Sequence, residues 1–561
     1  MPARSSFRSL SAVALMLSSM MSAQPVYAQG PTPPRLLIVI SVDQFSGDLF
    51  NQYRGVLPGG FKRLEEGAVF PRGYQSHAAT ETCPGHSTIL TGDRPARTGI
   101  IANTWYDMAS TRKDKDGRQD KAIYCAEDET RGASSRPSDY VPSPVHLKVP
   151  TLGDRMKAAD PRSRVVSVAG KDRAAIMMGG AHTDEIWFLR PTDHAQFITL
   201  AGRTNTPASI IRANQAIDTA LAAPAGPFDL GAQANICATR SRTTAITPDL
   251  SIGTGRFERK AGDKAAFRAS PESDTATLSL ASSLIADMRL GKGPATDLIA
   301  IGLSATDIVG HRYGTQGNEM CTQIIALDTM LDGFFRTLDA QGIDYAVALT
   351  ADHGGQDAPE RAADSAIVDA SRVDKALTPN GLNAALAKAT GLSGPLLYGD
   401  GAAGDIYLAS TLTPAQRRQV ATAALKIWQA HPQVAAVFTH DELAKYPLPS
   451  GPPDAWNIEQ EARASFDPAR SGDFVVLLKP RITPIVEAGK YIATHGSPWD
   501  YDRRVPILFW RKGMAGFEQP NSVETVDIMP TLAAMIGLKL SAGEVDGRCL
   551  DLDPGMGSTC K

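Results

Sequence analysis

The chain has 561 residues, and its 57 basic and 60 acidic side chains leave a formal net charge of −3. So even a balance supplies neither a basic stripe for nucleic acid nor a cationic face for an acidic membrane, and excludes both as defining partners. The length fits one large α/β unit with insertions, or two to four ordinary domains.

The first residues read as an address. Arg4 and Arg8 precede an apolar stretch at 10–21, and Val26 and Ala28 supply the small residues that a signal peptidase reads. The stretch is too short and too rich in serine for a membrane span, which takes about 20 apolar residues, and no later segment approaches that length. Residues 1–28 are expected to be a signal peptide cleaved after Ala28, with an uncleaved anchor as the alternative. The mature protein is then periplasmic or secreted, without a membrane span. Export changes the reading of the six cysteines. An even count in an oxidising compartment favours disulfides, and the lack of any Cys-x-x-Cys spacing argues against a zinc–thiolate site. Cys549 and Cys560 bracket a Gly- and Asp-rich tail, and sequence order suggests Cys83–Cys125 and Cys237–Cys321 for the rest, although six cysteines allow other connectivities.

Residues 36–42 are a near-continuous apolar, β-branched run ending in Asp43, which reads as a strand buried on both faces. Strand–helix alternation continues to about residue 102 and contains Thr80-Glu81-Thr82-Cys83-Pro84-Gly85-His86-Ser87-Thr88. Pro84 suits the first turn of a helix and Gly92 its end, so Thr82 sits at a helix N-terminus, where free N–H groups favour an anion. Residues 110–140 are charged and Gly/Ser-rich, and 104–148 is expected to be a solvated insertion. A strand at 164–169 leads into Gly170-Lys171-Asp172-Arg173. Residues 203–275 are weakly patterned. A second buried run at 298–303 leads to Asp307, with His311 four residues on, and a third at 345–351 ends in Asp352-His353. Residues 356–488 intervene before His495-Gly496-Ser497-Pro498, with a helical stretch at 414–431 and strand-like runs at 405–408 and 473–478. They read as a cap inserted into a core of 29–355 and 489–561, whose last elements are a strand at 505–510 and a helix at 528–536.

Ligands of parallel α/β sheets bind beyond the carboxyl ends of the strands. Three strands thus deliver Asp43, Asp307 and Asp352-His353 to one edge of one sheet. Each has a bland alternative: a cap for Asp43, a surface turn for Asp352-His353 or His495, an N-cap for Thr82, a surface pair for Lys171 and Arg173. Their joint placement at strand ends favours a metal site with a nucleophile.

These motifs, in this order, resemble the alkaline phosphatase superfamily, in particular its type I phosphodiesterase/nucleotide pyrophosphatase branch and the bacterial alkaline phosphatases with a threonine nucleophile. The resemblance runs from about residue 36 to 538 and implies a three-layer α/β/α sandwich with an inserted cap subdomain. It also implies two zinc ions, one held by Asp43, Thr82, Asp352 and His353, the other by Asp307, His311 and His495. Thr82 is then the nucleophile, the Cys83 N–H and the Asn103 amide hold phosphoryl oxygens, and Lys171 with Arg173 marks a phosphomonoesterase. A guanidinium fork plus an ammonium suits a dianion with three free oxygens. The expected partners are small phosphate monoesters; the sequence assigns no structural Ca2+ and no oligomeric state. A sulfatase is disfavoured because Cys83-Pro84-Gly85-His86 lacks that family's Cys-x-Pro-x-Arg spacing, and no third metal site of the serine-dependent phosphatases is visible. His86 fits a place behind the metal ligands or plain helix packing equally well. A phosphodiesterase on the same site is the alternative enzyme, and an inactive phosphate-ester binder the alternative of another class.

Overall fold

The apolar runs that end in carboxylates become the centre of a ten-stranded sheet. A computed structural model of the chain describes Met1 and residues 32–136, 139–190, 195–203, 205–364, 369–555 and 557–560. The expected signal segment, 1–28, lies outside the described residues apart from Met1. Strand Leu36–Val42 pairs in parallel with Asp297–Leu303 on one side and Tyr345–Thr350 on the other. Val165–Ala169 and Glu185–Leu189 extend the parallel part. Beyond Tyr345–Thr350 the sheet becomes mixed: Arg504–Arg511 pairs antiparallel to it, and Ala68–Tyr74 antiparallel to Arg504–Arg511. Pro506 lacks a ladder donor, and the register shifts at that point, between Val505 and Ile507.

Alternation along Leu36–Val42 builds the layers. Leu36, Ile38, Ile40 and Val42 face a cluster with Leu284, Ile324 and Phe335, from helices Pro271–Asp287 and Gly317–Ala340. Leu37 and Val39 face the opposite cluster, with Leu90, Met156 and Leu532, from helices Thr82–Thr91, Leu152–Ala159 and Ile528–Met535. The result is the expected α/β/α sandwich.

Elsewhere, Leu397–Tyr398, Gly404–Leu408, Phe474–Leu478 and Val434–Thr439 form a separate four-stranded antiparallel sheet. Its own apolar cluster includes Trp428, Leu386 and Phe474, with helices Pro379–Thr390 and Pro414–Ala430 packed on it. The weakly patterned region carries helix Ala208–Ala222 and a hairpin of Thr244–Thr247 with Leu250–Ile252. Within 104–148, Thr104–Tyr106 pairs with Ala122–Tyr124, and although 115–119 is exposed, Glu127 is fully buried. The cysteines pair as Cys83–Cys125, Cys237–Cys321 and Cys549–Cys560, leaving none free. Among the described residues, no helix is long and apolar enough to cross a membrane.

Candidate metal centre and nucleophile

Register sets the site. Val42 stands opposite Leu303, and Ser41 opposite Thr350, so three strand ends finish level and release Asp43, Asp307 and Asp352-His353 at one edge. Asp307 and His311 lie one turn apart on helix Ala305–Tyr313, and His495 comes from a loop. Asp307 Oδ1 lies 3.4 Å from the Nε2 atoms of both His311 and His495, and 3.9 Å from that of His353. Each imidazole places Nδ1 on a backbone carbonyl: His311 on Ala493, His495 on Thr80, His353 on Gly354. A carbonyl only accepts, so Nδ1 carries a proton in each ring and Nε2 is the nitrogen that faces inward, the orientation that suits a metal ligand.

The carboxylates are bridged by cations. Lys171 Nζ sits 2.5 Å from Asp307 Oδ2 and 3.1 Å from Asp43 Oδ2. Burial works against the Lys171 ammonium, but Asp307 and Asp43 outweigh it and raise its pKa. Burial likewise opposes protonation of His353, and Asp352 overrides it, lifting His353 to about 9. His495, where burial prevails and His353 adds repulsion, is pushed down to about 3. Asp307 is held well below the usual carboxylate range, Lys171 and His311 overcoming the effect of burial.

Helix Thr82–Thr91 brings the nucleophile candidate. Thr82 is its first residue and fully buried, and Gly92 closes it in the left-handed conformation at φ 76°. Arg173 Nη2 donates to Thr82 Oγ1 at 3.4 Å, from a helix, Asp172–Gly179, that starts just after Lys171. The Cys83 N–H donates to Asn103 Oδ1 at 2.9 Å. That differs from the expectation that this N–H faces a phosphoryl oxygen; it positions Asn103 instead, whose amide NH2 remains as donor. His86, left open by the sequence, has Nε2 3.3 Å from Asp43 and Nδ1 3.3 Å from Asp352.

All ten residues picked from the sequence lie at one sheet edge, and two triads of donor atoms converge there. The donor sets that converge are Asp307/His353/His495 and Asp43/His86/Asp352. His353 stands between the two, 3.2 Å from Asp352 Oδ2. Both oxygens of Asp43, Asp352 Oδ2 and His353 Nε2 are buried without a hydrogen bond and are held only by ion-pair contacts within the cluster, with Lys171, His86 and each other. Converging oxygen and imidazole donors with unspent lone pairs, and no thiolate, fit divalent cations of the zinc type.

Further contributors go unread in the sequence. Gln44, in the left-handed region at φ 62°, donates its backbone N–H to Asp352 Oδ1 and its side-chain amide to Asp307 Oδ1, at 3.0 and 3.4 Å. Glu81 accepts the Asn103 N–H at 2.7 Å, and burial lifts its carboxyl to about 7 against that hydrogen bond. A polar residue after Asp43 and an acid before Thr82 were the available signals.

The type I phosphodiesterase/nucleotide pyrophosphatase family matches residues 37–498. Alkaline phosphatase PhoK of Sphingomonas sp is 56% identical over 533 residues, covering 94% of this chain and 93% of that protein. Alkaline phosphatase PhoD of Zymomonas mobilis subsp. mobilis is 50% identical over 528 residues, covering 94% and 89%. The crystal structure of wild-type alkaline phosphatase PafA superposes with a TM-score of 0.78 at 24% identity, over 93% of this chain and 99% of that one, and supports the fold. With the motif order, the sheet-edge donors and the family match in agreement, the chain belongs to the type I phosphodiesterase/nucleotide pyrophosphatase family of the alkaline phosphatase superfamily.

Proposed function

We propose that this protein is an exported alkaline phosphatase that hydrolyses phosphate monoesters to an alcohol and inorganic phosphate through a phospho-Thr82 intermediate. The observation that carries the reading is a threonine hydroxyl at a helix N-terminus, with the Arg173 guanidinium 3.4 Å away and the carboxylate–imidazole cluster behind it. Relatives named alkaline phosphatases at 56% and 50% identity support it. In this reading Asp43, Thr82, Asp352 and His353 hold one zinc and Asp307, His311 and His495 the other. Bound there, two zinc ions would lower the pKa of a hydroxyl or water and offset charge on the attacking and leaving oxygens.

The chain's own groups do the rest. Thr82 Oγ bonds to phosphorus as the ester P–O bond breaks, and the alcohol departs with the proton. Water then displaces Thr82 from phosphorus, releasing inorganic phosphate and restoring the hydroxyl. Arg173, Lys171 and the Asn103 amide neutralise the equatorial oxygens, and Gln44 and the Nδ1–carbonyl bonds fix the ligands. In the same proposal residues 356–488 are a cap on a core of 29–355 and 489–561, and cleavage after Ala28 accompanies export, consistent with three disulfides. The test compares kcat/KM for a phosphate monoester and a diester sharing one leaving group. Strong preference for the monoester is expected; preference for the diester would favour a phosphodiesterase, and no turnover of either a binding protein.

A further inference from the structure

The core does not hold Arg173 alone. Asp172, between the two cations, is 1% exposed, and its Oδ2 accepts two phenol hydrogen bonds, from Tyr124 at 2.8 Å and Tyr140 at 2.6 Å. Its Oδ1 lies 4.0 Å from Arg173 Nη1. The phenol rings meet edge to face with centroids 5.1 Å apart. Burial and the nearby Asp172 push both phenols well above their usual range, so each stays protonated and donates.

Both tyrosines belong to 104–148, and that segment is braced. Fully buried Glu127 accepts from the Tyr124 N–H, from Ser135 and from Arg112. Cys125, next to Tyr124, is joined to Cys83, next to Thr82. One side of the phosphate site is thus built by a segment tied covalently to the nucleophile helix.

We propose that Tyr124 and Tyr140 are positioning residues for Arg173, both through Asp172 and Tyr124 also by its own hydroxyl beside the guanidinium, and that 104–148 thereby sets the preference for a phosphoryl group with three free oxygens. The inference rests on the roles given above to Thr82 and Arg173. A guanidinium on a flexible stem gains most from a counter-charge behind it, which limits its rotamers and leaves its forward face open. With both phenols donating to it, Asp172 stays directed behind Arg173. Without them it is free to turn toward Lys171 or Arg173 and cancel charge that the substrate needs.

Tyr124→Phe with Tyr140→Phe removes two hydroxyls and keeps both rings. Monoester kcat/KM should fall about tenfold, inhibition by inorganic phosphate should weaken by a similar factor, and diester kcat/KM should change less than about twofold. In an Arg173→Ala background the same pair should cost almost nothing, because no guanidinium is left to position. Asp172→Asn, a nearly isosteric second probe should the double variant misfold, should repeat the pattern. Equal losses on both substrates, or losses fully additive with Arg173→Ala, would overturn the inference and leave the tyrosines a role in folding only. Unchanged monoester kinetics in Arg173→Ala would overturn the phosphate-site reading of Arg173, and this inference with it.

Discussion

Gly85 joins the helix that carries Thr82 to the strand end that carries two of the proposed ligands. A Cβ at Gly85 would lie 1.9 Å from the Asp352 carbonyl oxygen and 2.7 Å from its carbon. Both are backbone atoms that cannot rotate away, and comfortable contact needs about 3.5 Å, so Gly85→Ala must part the two segments by roughly 1.5 Å. Thr82 moves with one and Asp352 and His353 with the other. A misplacement of about 1 Å costs on the order of 100-fold in rate. The overpacking costs about 1–3 kcal/mol, offset by about 0.5–1 kcal/mol from the better helix propensity of alanine. Gly85→Ala should therefore lose about 100-fold in kcat/KM on p-nitrophenyl phosphate while unfolding only slightly earlier. Gly333 is the control: it lies within helix Gly317–Ala340, and a methyl group there would meet no atom within 4 Å. Gly333→Ala should stabilise by about 0.5–1 kcal/mol and leave turnover unchanged. Wild-type kinetics in Gly85→Ala would refute this account of how the helix is placed.

Chelation should abolish activity and zinc restore it; fewer than about one zinc per chain in active enzyme would exclude the two-metal reading. Lys171 neutralises Asp43 and Asp307 where bound metal would do the same, so Lys171→Met should destabilise chelated protein by about 3 kcal/mol or more and zinc-loaded protein much less. Equal shifts in the two thermal melts would count against that arrangement. Burial raises Asp274 to about 7 despite hydrogen bonds from Ala305 and Gln323. The folded state then keeps a proton that the unfolded state releases near pH 4, so the wild type loses stability as pH rises from about 4 to 7, and the loss persists above 7. Asp274→Asn removes that loss, and its stability relative to wild type should improve by about 1–4 kcal/mol between pH 4.5 and 8 in denaturant titrations; parallel pH profiles would argue against it.

The strand-end carboxylates were legible because strands buried on both faces leave long apolar runs, and a charge at the end of such a run has few other reasons to be there. Strand order and direction were not: the apolar run of Arg504–Arg511 looks the same whether it pairs parallel or, as found, antiparallel. Helix Ala208–Ala222 escaped because its buried side is sparse, with Ile210, Ile217 and Leu221 as its large members, and its N-cap makes no side-chain hydrogen bond. In the site, the proposed ligands announced themselves by residue type, whereas the groups that orient them did not. Gln44 acts through a backbone N–H and a left-handed turn, and Asp172 between two cations reads as local charge balance. The partners of Asp172 lie 48 and 32 residues away in a charged segment whose buried acid, Glu127, has no sequence pattern of its own.

The central claim is covalent chemistry at Thr82, and acid-quenched enzyme reads it directly. Wild-type protein mixed with a phosphate monoester, stopped in acid and digested should yield one phosphorylated peptide, with the phosphate on Thr82 and none on Ser87 or Thr88. Thr82→Ala should give no label and almost no turnover. Phosphate on another residue, or full turnover by Thr82→Ala, would contradict the mechanism.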